Sequence, residues 1–230
     1  MTFHEFLGIP MEDKHIVSLC GAGGKTSSMM LLAEESRTHC PTAFFTTTHI
    51  WKPEGEHLVS LMPFSVKEAR RAWERGDVVF AGASAPDHKY AAPEDAVMEF
   101  LCREANAVYI EADGSRCRPM KYPNATEPVI RPENTHTVVI TGLSTLHGDP
   151  EKVFHRLELA RTHMDVPASP VSEETMARVI WAGYGSLDPI VFLNQADTPE
   201  LLSAGEKVAG ILRELGCKRV VCSSLRSFQV

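Results

Sequence analysis

Short apolar runs alternate along the chain with stretches whose apolar residues recur every three or four positions. The runs predict strands at Ile16–Cys20, Ala43–Thr48, Asp77–Phe80, Ala107–Ile110, His136–Ile140, Pro189–Leu193 and Arg219–Cys222. None shows the in–out alternation of a half-solvated strand, so each is expected to be covered on both faces. Between them the spacing predicts helices from Lys25 (apolar face Met29, Leu32, Ala33), from Ser65 to Gly76, over 94–104, 150–163 and 172–183, and from Pro199. The last carries a stripe of Leu201, Val208, Ile211, Leu212 and Leu215 and is closed by Gly216. Ser172 and Gly183 read as the caps of the helix before it. Residues 53–64 read as a proline-containing connection and 83–93 as a loop. Strand and helix in alternation predict an α/β fold, a three-layer α/β/α arrangement on a mainly parallel central sheet. One domain over 1–230 is expected, with room for a small insertion near 142–187.

The chemistry collects where these runs end. After Ile16–Cys20 comes Gly21-Ala-Gly-Gly-Lys-Thr26, then a helical pattern, which is the context a phosphate-binding loop requires. Gly21, Ala22, Gly23 and Gly24 turn backbone N–H groups into one concavity, and the helix start adds more through Ser27. Lys25 supplies charge for the β/γ-phosphates, and the Thr26 hydroxyl suits Mg²⁺. The longer pattern G-x-x-x-x-G-K-[ST] would place glycine at 19, where Leu19 stands. The shortened loop is similar to that of the Mur ligases and folylpolyglutamate synthases.

Ligands of open α/β sheets sit at the carboxyl edge of the strands. There Thr47 or Thr48 would reach Mg²⁺ or the γ-phosphate, although threonine is also simply a good strand former. Ala107–Ile110 runs into Glu111-Ala-Asp113-Gly-Ser115, the outline of a Walker B element. Glu111 or Asp113 would hold Mg²⁺ or orient the nucleophile; Asp-Gly is also an ordinary turn. Four cations and four prolines then fall within residues 116–132 of an otherwise acidic chain. Arg116, Arg118 and Lys121 on so stiff a loop are expected to hold an anionic substrate. Asn194-Gln-Ala-Asp197 is similar to the GTPase base-recognition motif with glutamine for lysine. The Asp197 carboxylate would accept both guanine donors, and Ser223 follows the next strand where GTPases keep a second base-contacting loop. Asn and Asp are also ordinary N-cap residues.

A net charge of −7 provides no basic field for nucleic acid, so nucleic-acid binding is not expected. No apolar run approaches the ~20 residues that span a bilayer, and the N-terminus lacks a secretory pattern, so a cytoplasmic setting follows. The six cysteines form no C-x-x-C pair. Cys20, Cys102 and Cys222 read as core residues and Cys117 as exposed.

With these segments in place the chain resembles the YqeC family, on Gly21-Ala-Gly-Gly-Lys-Thr26, Thr46-Thr-Thr-His49, Glu111-Ala-Asp-Gly-Ser115 with Arg118-Pro119 and Lys121, Glu127-Pro128, and Asn194 with Asp197. Gln195 departs from the family's more usual lysine. The resemblance implies a P-loop protein accessory to a selenium-dependent molybdenum hydroxylase, with that enzyme or its cofactor as partner. The residues imply a nucleoside triphosphate, GTP or ATP, with Mg²⁺. Three functions stay open: a nucleoside triphosphatase or phosphotransferase, a nucleotide-switched binding protein or cofactor chaperone, and a Mur-like ATP-dependent ligase.

Overall fold

The computed structural model describes residues 1–228. In chain order the elements are α1 (Phe3–Leu7), β1 (His15–Gly21), α2 (Lys25–Arg37), β2 (Thr42–Thr46), β3 (Ile50–Trp51), β4 (Leu58–Leu61), α3 (Val66–Glu74), β5 (Val78–Ala81), β6 (Ala83–Ser84), β7 (Lys89–Ala91), α4 (Asp95–Glu104) and β8 (Ala107–Glu111). There follow β9 (Met120–Lys121), β10 (His136–Gly142), α5 (Pro150–Val153), β11 (Phe154–His155), α6 (Leu157–His163), α7 (Glu173–Tyr184), β12 (Ile190–Asn194), α8 (Pro199–Glu214) and β13 (Arg219–Cys222). The architecture is α/β with mainly parallel strands, and the elements divide between two units of interleaved segments.

The first unit takes 1–19, 26–114 and 129–136. Its parallel strands run in the order β1-β8-β2-β5-β4. β2, β5 and β8 are buried along their whole length, which is why they read as unbroken apolar runs. Phe45, Val79, Val108 and Ile110 meet Ala69 and Ala72 of α3 and Leu101 of α4 in one core. Ser65 caps α3 by accepting from the Glu68 N–H, and Gly76 follows with φ +75°. A buried polar knot lies inside this unit. The Tyr109 hydroxyl meets His4 Nε2 at 2.6 Å, His15 Nε2 at 2.8 Å and Ser36 Oγ at 2.6 Å. It ties α1, which the sequence pattern does not announce, to β8.

Two segments differ from expectation here. The 53–64 connection contains β4, whose half-buried residues at the end of the strand order leave little apolar signal. The 83–93 loop contains β6 and β7, which join β3 in a small antiparallel sheet. Strands of two or three residues are too short to show a period.

The second unit takes 20–25, 115–128 and 137 onward. Its parallel strands run β10-β12-β13, with Ile140 opposite Phe192 and Phe192 opposite Val221. α8 starts on the Thr198 cap with Pro199 in its first turn. Its buried face is Ala204, Gly205, Val208, Ala209 and Leu212, while Leu201, Ile211 and Leu215 are only half-buried. The helix therefore packs through Val208 and Leu212 flanked by Ala204, Gly205 and Ala209, so two of the five residues of the expected stripe lie on its buried face.

The helix expected over 150–163 is broken. Arg156 takes φ +64°, and Phe154–His155 pair in parallel with Met120–Lys121. Backbone bonds to a distant segment displace the helical ones. α7 runs to Tyr184 and ends at Gly185 rather than Gly183. Gly183 instead lies against Pro123, whose Cδ would stand 2.7 Å from an added Cβ. The six cysteines are free, with Cys117 exposed. Cys222, expected in the core, is half-buried, because β13 ends the strand order of its unit. Among the described residues no helix is long and apolar enough to cross a membrane.

Candidate functional site

The glycine loop leaves β1 in the second unit with three residues at positive φ: Gly21 at +89°, Gly23 at +83° and Gly24 at +131°. A side chain at any of them would collide with fixed neighbours. An added Cβ would lie 2.2 Å from the Ile140 carbonyl oxygen at Gly21, 2.4 Å from the Gly142 nitrogen at Gly23, and 2.5 Å from Asn194 Nδ2 at Gly24. Both conformation and space thus demand glycine. The Ala22 N–H donates to the Ile140 carbonyl at 2.7 Å and anchors the loop to β10. Lys25 arches back and donates from Nζ to the Gly21 carbonyl at 2.8 Å. Its ammonium is thereby held over the turn, as contact with a bound phosphate chain requires. No acidic residue stands in the first turn of α2 to oppose an anion.

Asn194 is a clamp. Its Nδ2 donates to the Gly23 carbonyl at 2.8 Å, and its Oδ1 accepts from the Leu225 N–H at 2.9 Å. It links the glycine loop to the segment after β13. The Asp197 carboxylate accepts from the Ser224 hydroxyl, and its side chain keeps 37% exposure. Ser223 closes the same corner, donating its N–H to the Leu193 carbonyl and accepting from the Ala196 N–H. Gln195, at φ +67°, accepts from the Ser144 hydroxyl at 2.6 Å and lies against Gly142, where its Oε1 would stand 2.3 Å from an added Cβ.

The basic loop is wedged against the glycine loop. The Pro119 carbonyl accepts from the Gly142 N–H at 2.9 Å and would stand 3.0 Å from a Cβ at Gly23. Arg118 donates from Nη1 to the Glu151 and Phe154 carbonyls, so its fork braces β11. Lys121 is buried and donates to Glu127 Oε2 at 2.9 Å. Arg116 is exposed at φ +51°. Two further residues meet this group, His155 and Arg156. Arg156 donates to the same Glu127 oxygen as Lys121. Sequence spacing could not find them, because only the β9–β11 pairing brings them there. Burial first, and then the charges of Arg156, Lys121 and Arg116, hold the His155 imidazole down to about 4.

The first unit holds the carboxylates. Glu111 ends β8 opposite both Leu19 and Thr46 in register, at the carboxyl edge of three adjacent strands. Its Oε2 accepts from the Thr26 hydroxyl at 2.7 Å. Its carbonyl accepts from the Thr46 and Thr47 hydroxyls. Asp113 is fully buried two residues on, and the Thr48 hydroxyl would stand 3.1 Å from a Cβ at Gly114. Ser27 is exposed on α2. The donor set of Thr26, Glu111, Asp113 and Thr48 is all oxygen. That suits a hard cation such as Mg²⁺, which takes one or two carboxylates and leaves its other positions to water and phosphate.

The family model described as YqeC protein matches residues 17–158. A curated relative, "Uncharacterized protein YqeC" of Escherichia coli (strain K12), is 28% identical over 145 residues, 57% of this chain and 53% of the relative. The chain thus spans about half the length of the curated relative that it matches. A solved structure, the hydrogenase maturation factor HypB from Archaeoglobus fulgidus, overlays with a TM-score of 0.44 at 14% identity, covering 97% of this chain and 88% of the other.

Proposed function

The chain belongs to the YqeC family, and on that premise we propose that it is a Mg²⁺-dependent P-loop nucleotide-binding protein of the cytoplasm, a nucleoside triphosphatase or phosphotransferase that assists maturation of a selenium-dependent molybdenum hydroxylase. The observation that carries the nucleotide part is the loop itself. Three glycines held at positive φ, each walled by atoms that exclude a Cβ, lead directly into Lys25 and a helix start. Backbone donors and a lysine in that order neutralise charge on phosphate oxygens without reorganising.

Each residue then has a task. The loop amides and Lys25 bind and orient the β/γ-phosphates. Thr26 and Glu111, already joined by a hydrogen bond, hold Mg²⁺ with Asp113 and Thr48. When bound, the ion neutralises charge on the phosphate oxygens. Glu111 or Asp113 also stands ready to accept the proton of an attacking hydroxyl. Guanine is favoured over adenine because Asp197 is exposed, oriented by Ser224, and on the same turn as Asn194. The Asn194 clamp also supports the nucleotide-switch reading, since it couples the glycine loop to the segment after β13.

Competition titration of GTP and ATP tests these readings. Lys25→Ala is expected to lose triphosphate binding with an unchanged circular dichroism spectrum; unchanged affinity would sink the phosphate-loop assignment. Asp197→Ala is expected to weaken GTP by about 1–3 kcal/mol, the loss of hydrogen bonds to a charged acceptor, and to leave ATP nearly untouched. A wild type that prefers ATP overturns the guanine reading and favours the ligase. Fast hydrolysis by the isolated protein supports the enzyme, and hydrolysis only with a hydroxylase present supports the switch.

A further inference from the structure

The buried knot of the first unit joins His4 of α1, His15 of β1, Ser36 of α2 and Tyr109 of β8. The Tyr109 hydroxyl stands 2.6 Å from His4 Nε2, 2.8 Å from His15 Nε2 and 2.6 Å from Ser36 Oγ. The other nitrogen of each imidazole faces a group that can only accept. His4 Nδ1 lies 2.7 Å from Oε2 of the Glu35 carboxylate, and His15 Nδ1 lies 2.9 Å from the Asp13 carbonyl oxygen. Both Nδ1 atoms must therefore carry hydrogen and donate. If the two rings were uncharged, both Nε2 atoms would be bare acceptors, and Tyr109 has one hydrogen to offer them. One close contact would then set lone pair against lone pair in the interior, where an unmade hydrogen bond is most costly. The Ser36 hydroxyl, 3.3 Å from His4 Nε2, cannot cure this. Its hydrogen, given to His4, leaves the 2.6 Å approach of Nε2 to the Tyr109 oxygen unfilled.

We propose that the knot holds one hydrogen more than its uncharged groups supply, placed on His4 Nε2, so that a His4 imidazolium paired with the Glu35 carboxylate forms a proton-dependent latch of α1 on α2. Every close contact then receives one hydrogen. His4 donates from Nδ1 to Glu35 and from Nε2 to Tyr109, Ser36 donates to Tyr109, Tyr109 donates to His15, and His15 donates to Asp13. The Tyr109 oxygen thereby uses both lone pairs and its single hydrogen. His4 takes the charge because it faces a carboxylate, whereas His15 faces a carbonyl. Burial above all, with His4 and His136, holds the His15 imidazole below its ordinary value against the Asp13 carbonyl, which works the other way. Burial raises Glu35, but hydrogen bonds from the His4 ring and from the Phe3 and His4 N–H groups outweigh it and keep the carboxylate ionised. Burial pushes the Tyr109 phenol up, as do Cys40 and Glu35 by charge, so the phenol keeps its hydrogen. Those two N–H bonds to Glu35 also mean that one carboxylate holds both the His4 ring and the first turn of α1. Without the extra hydrogen, His4 Nε2 and the Tyr109 oxygen repel, and His4 escapes only by leaving its buried place with α1. The docked state binds one proton more than the undocked state, so raising the pH favours undocking.

The test is long-range proton–nitrogen NMR of the histidine rings in the full-length protein at about pH 7.5, a unit above the ordinary imidazole value. Ring-nitrogen shifts distinguish a nitrogen that carries hydrogen from a bare one. His4 is expected to carry hydrogen on both nitrogens and His15 on Nδ1 alone. A bare Nε2 on His4 overturns the proposal. Tyr109→Phe keeps the ring but removes the oxygen, and is expected to release the second hydrogen of His4 at the same pH. A second hydrogen that survives this change belongs to the Glu35 pair alone and overturns the part given to Tyr109. Glu35→Gln keeps an acceptor but removes the charge. It is expected to speed exchange of the Phe6 and Ile9 amides, which bond to the Thr2 and His4 carbonyls, by about tenfold. Equal protection of these amides in wild type and variant overturns the latch. The wild-type spectrum decides the extra hydrogen even if neither variant folds, and none of these outcomes depends on the nucleotide reading.

Discussion

At the residue scale the most informative side chain is one that the motifs never touched. Burial, and then the neighbouring cations, hold the His155 imidazole down to about 4 in the folded chain, against 6.5 for an ordinary imidazole. Between those values the unfolded chain binds a proton that the folded chain does not. Stability from this group is therefore fully present above about pH 6.5 and is lost as pH falls toward 4. His15 and His136, also lowered chiefly by burial, act with the same sign. Urea unfolding at a series of pH values across that window should show a shallower decline for His155→Gln than for wild type; an equal slope would refute the account. Glu127 adds a further loss in more acidic solution. Burial raises its pKa, but hydrogen bonds from Arg156 and Lys121 outweigh that and hold it below the usual carboxylate value.

At the scale of elements, α8 shows how packing overrides propensity. Alanine is preferred to glycine inside a helix by about 1 kcal/mol. At Gly210 an added Cβ would meet nothing within 4 Å, so Gly210→Ala should stabilise by about 0.5–1 kcal/mol. At Gly205 the same Cβ would lie 2.4 Å from Cys222 Sγ and 2.9 Å from Leu143 Cδ1. Gly205→Ala should therefore destabilise despite identical propensity, by about 1–3 kcal/mol of overpacking. Thermal unfolding of the two variants decides it, and shifts of the same sign would count against the packing argument. The α5–α6 break teaches the same lesson. Residues 150–163 carry a helical pattern, yet the pairing of Phe154–His155 with Met120–Lys121 outweighs it.

At the scale of the molecule, a ligand that binds only the native state stabilises it by mass action, by about 2.7 kcal/mol at a hundredfold excess over Kd. GTP with Mg²⁺ should accordingly raise the unfolding temperature of the wild type by several degrees and leave Lys25→Ala unmoved. A shift in both would place the nucleotide away from the glycine loop.

The sequence by itself determined the parallel α/β class, the glycine loop and the Glu111–Asp113 edge. Each is a local consequence of composition: apolar runs need two covered faces, and positive φ with no room for a Cβ needs glycine. It also placed Thr26 after the glycine loop and Glu111 at a strand end, and the fold then brought their side chains within 2.7 Å. Tertiary structure alone decided the rest. Asn194 became a clamp because β12 ends beside the glycine loop, and Arg118 became a brace because β11 passes under it. His155 and Arg156 joined Lys121 and Glu127 across some thirty residues of chain through one two-residue parallel pairing. Such contacts depend on which strand ends meet in space, and no periodicity within a single segment encodes that.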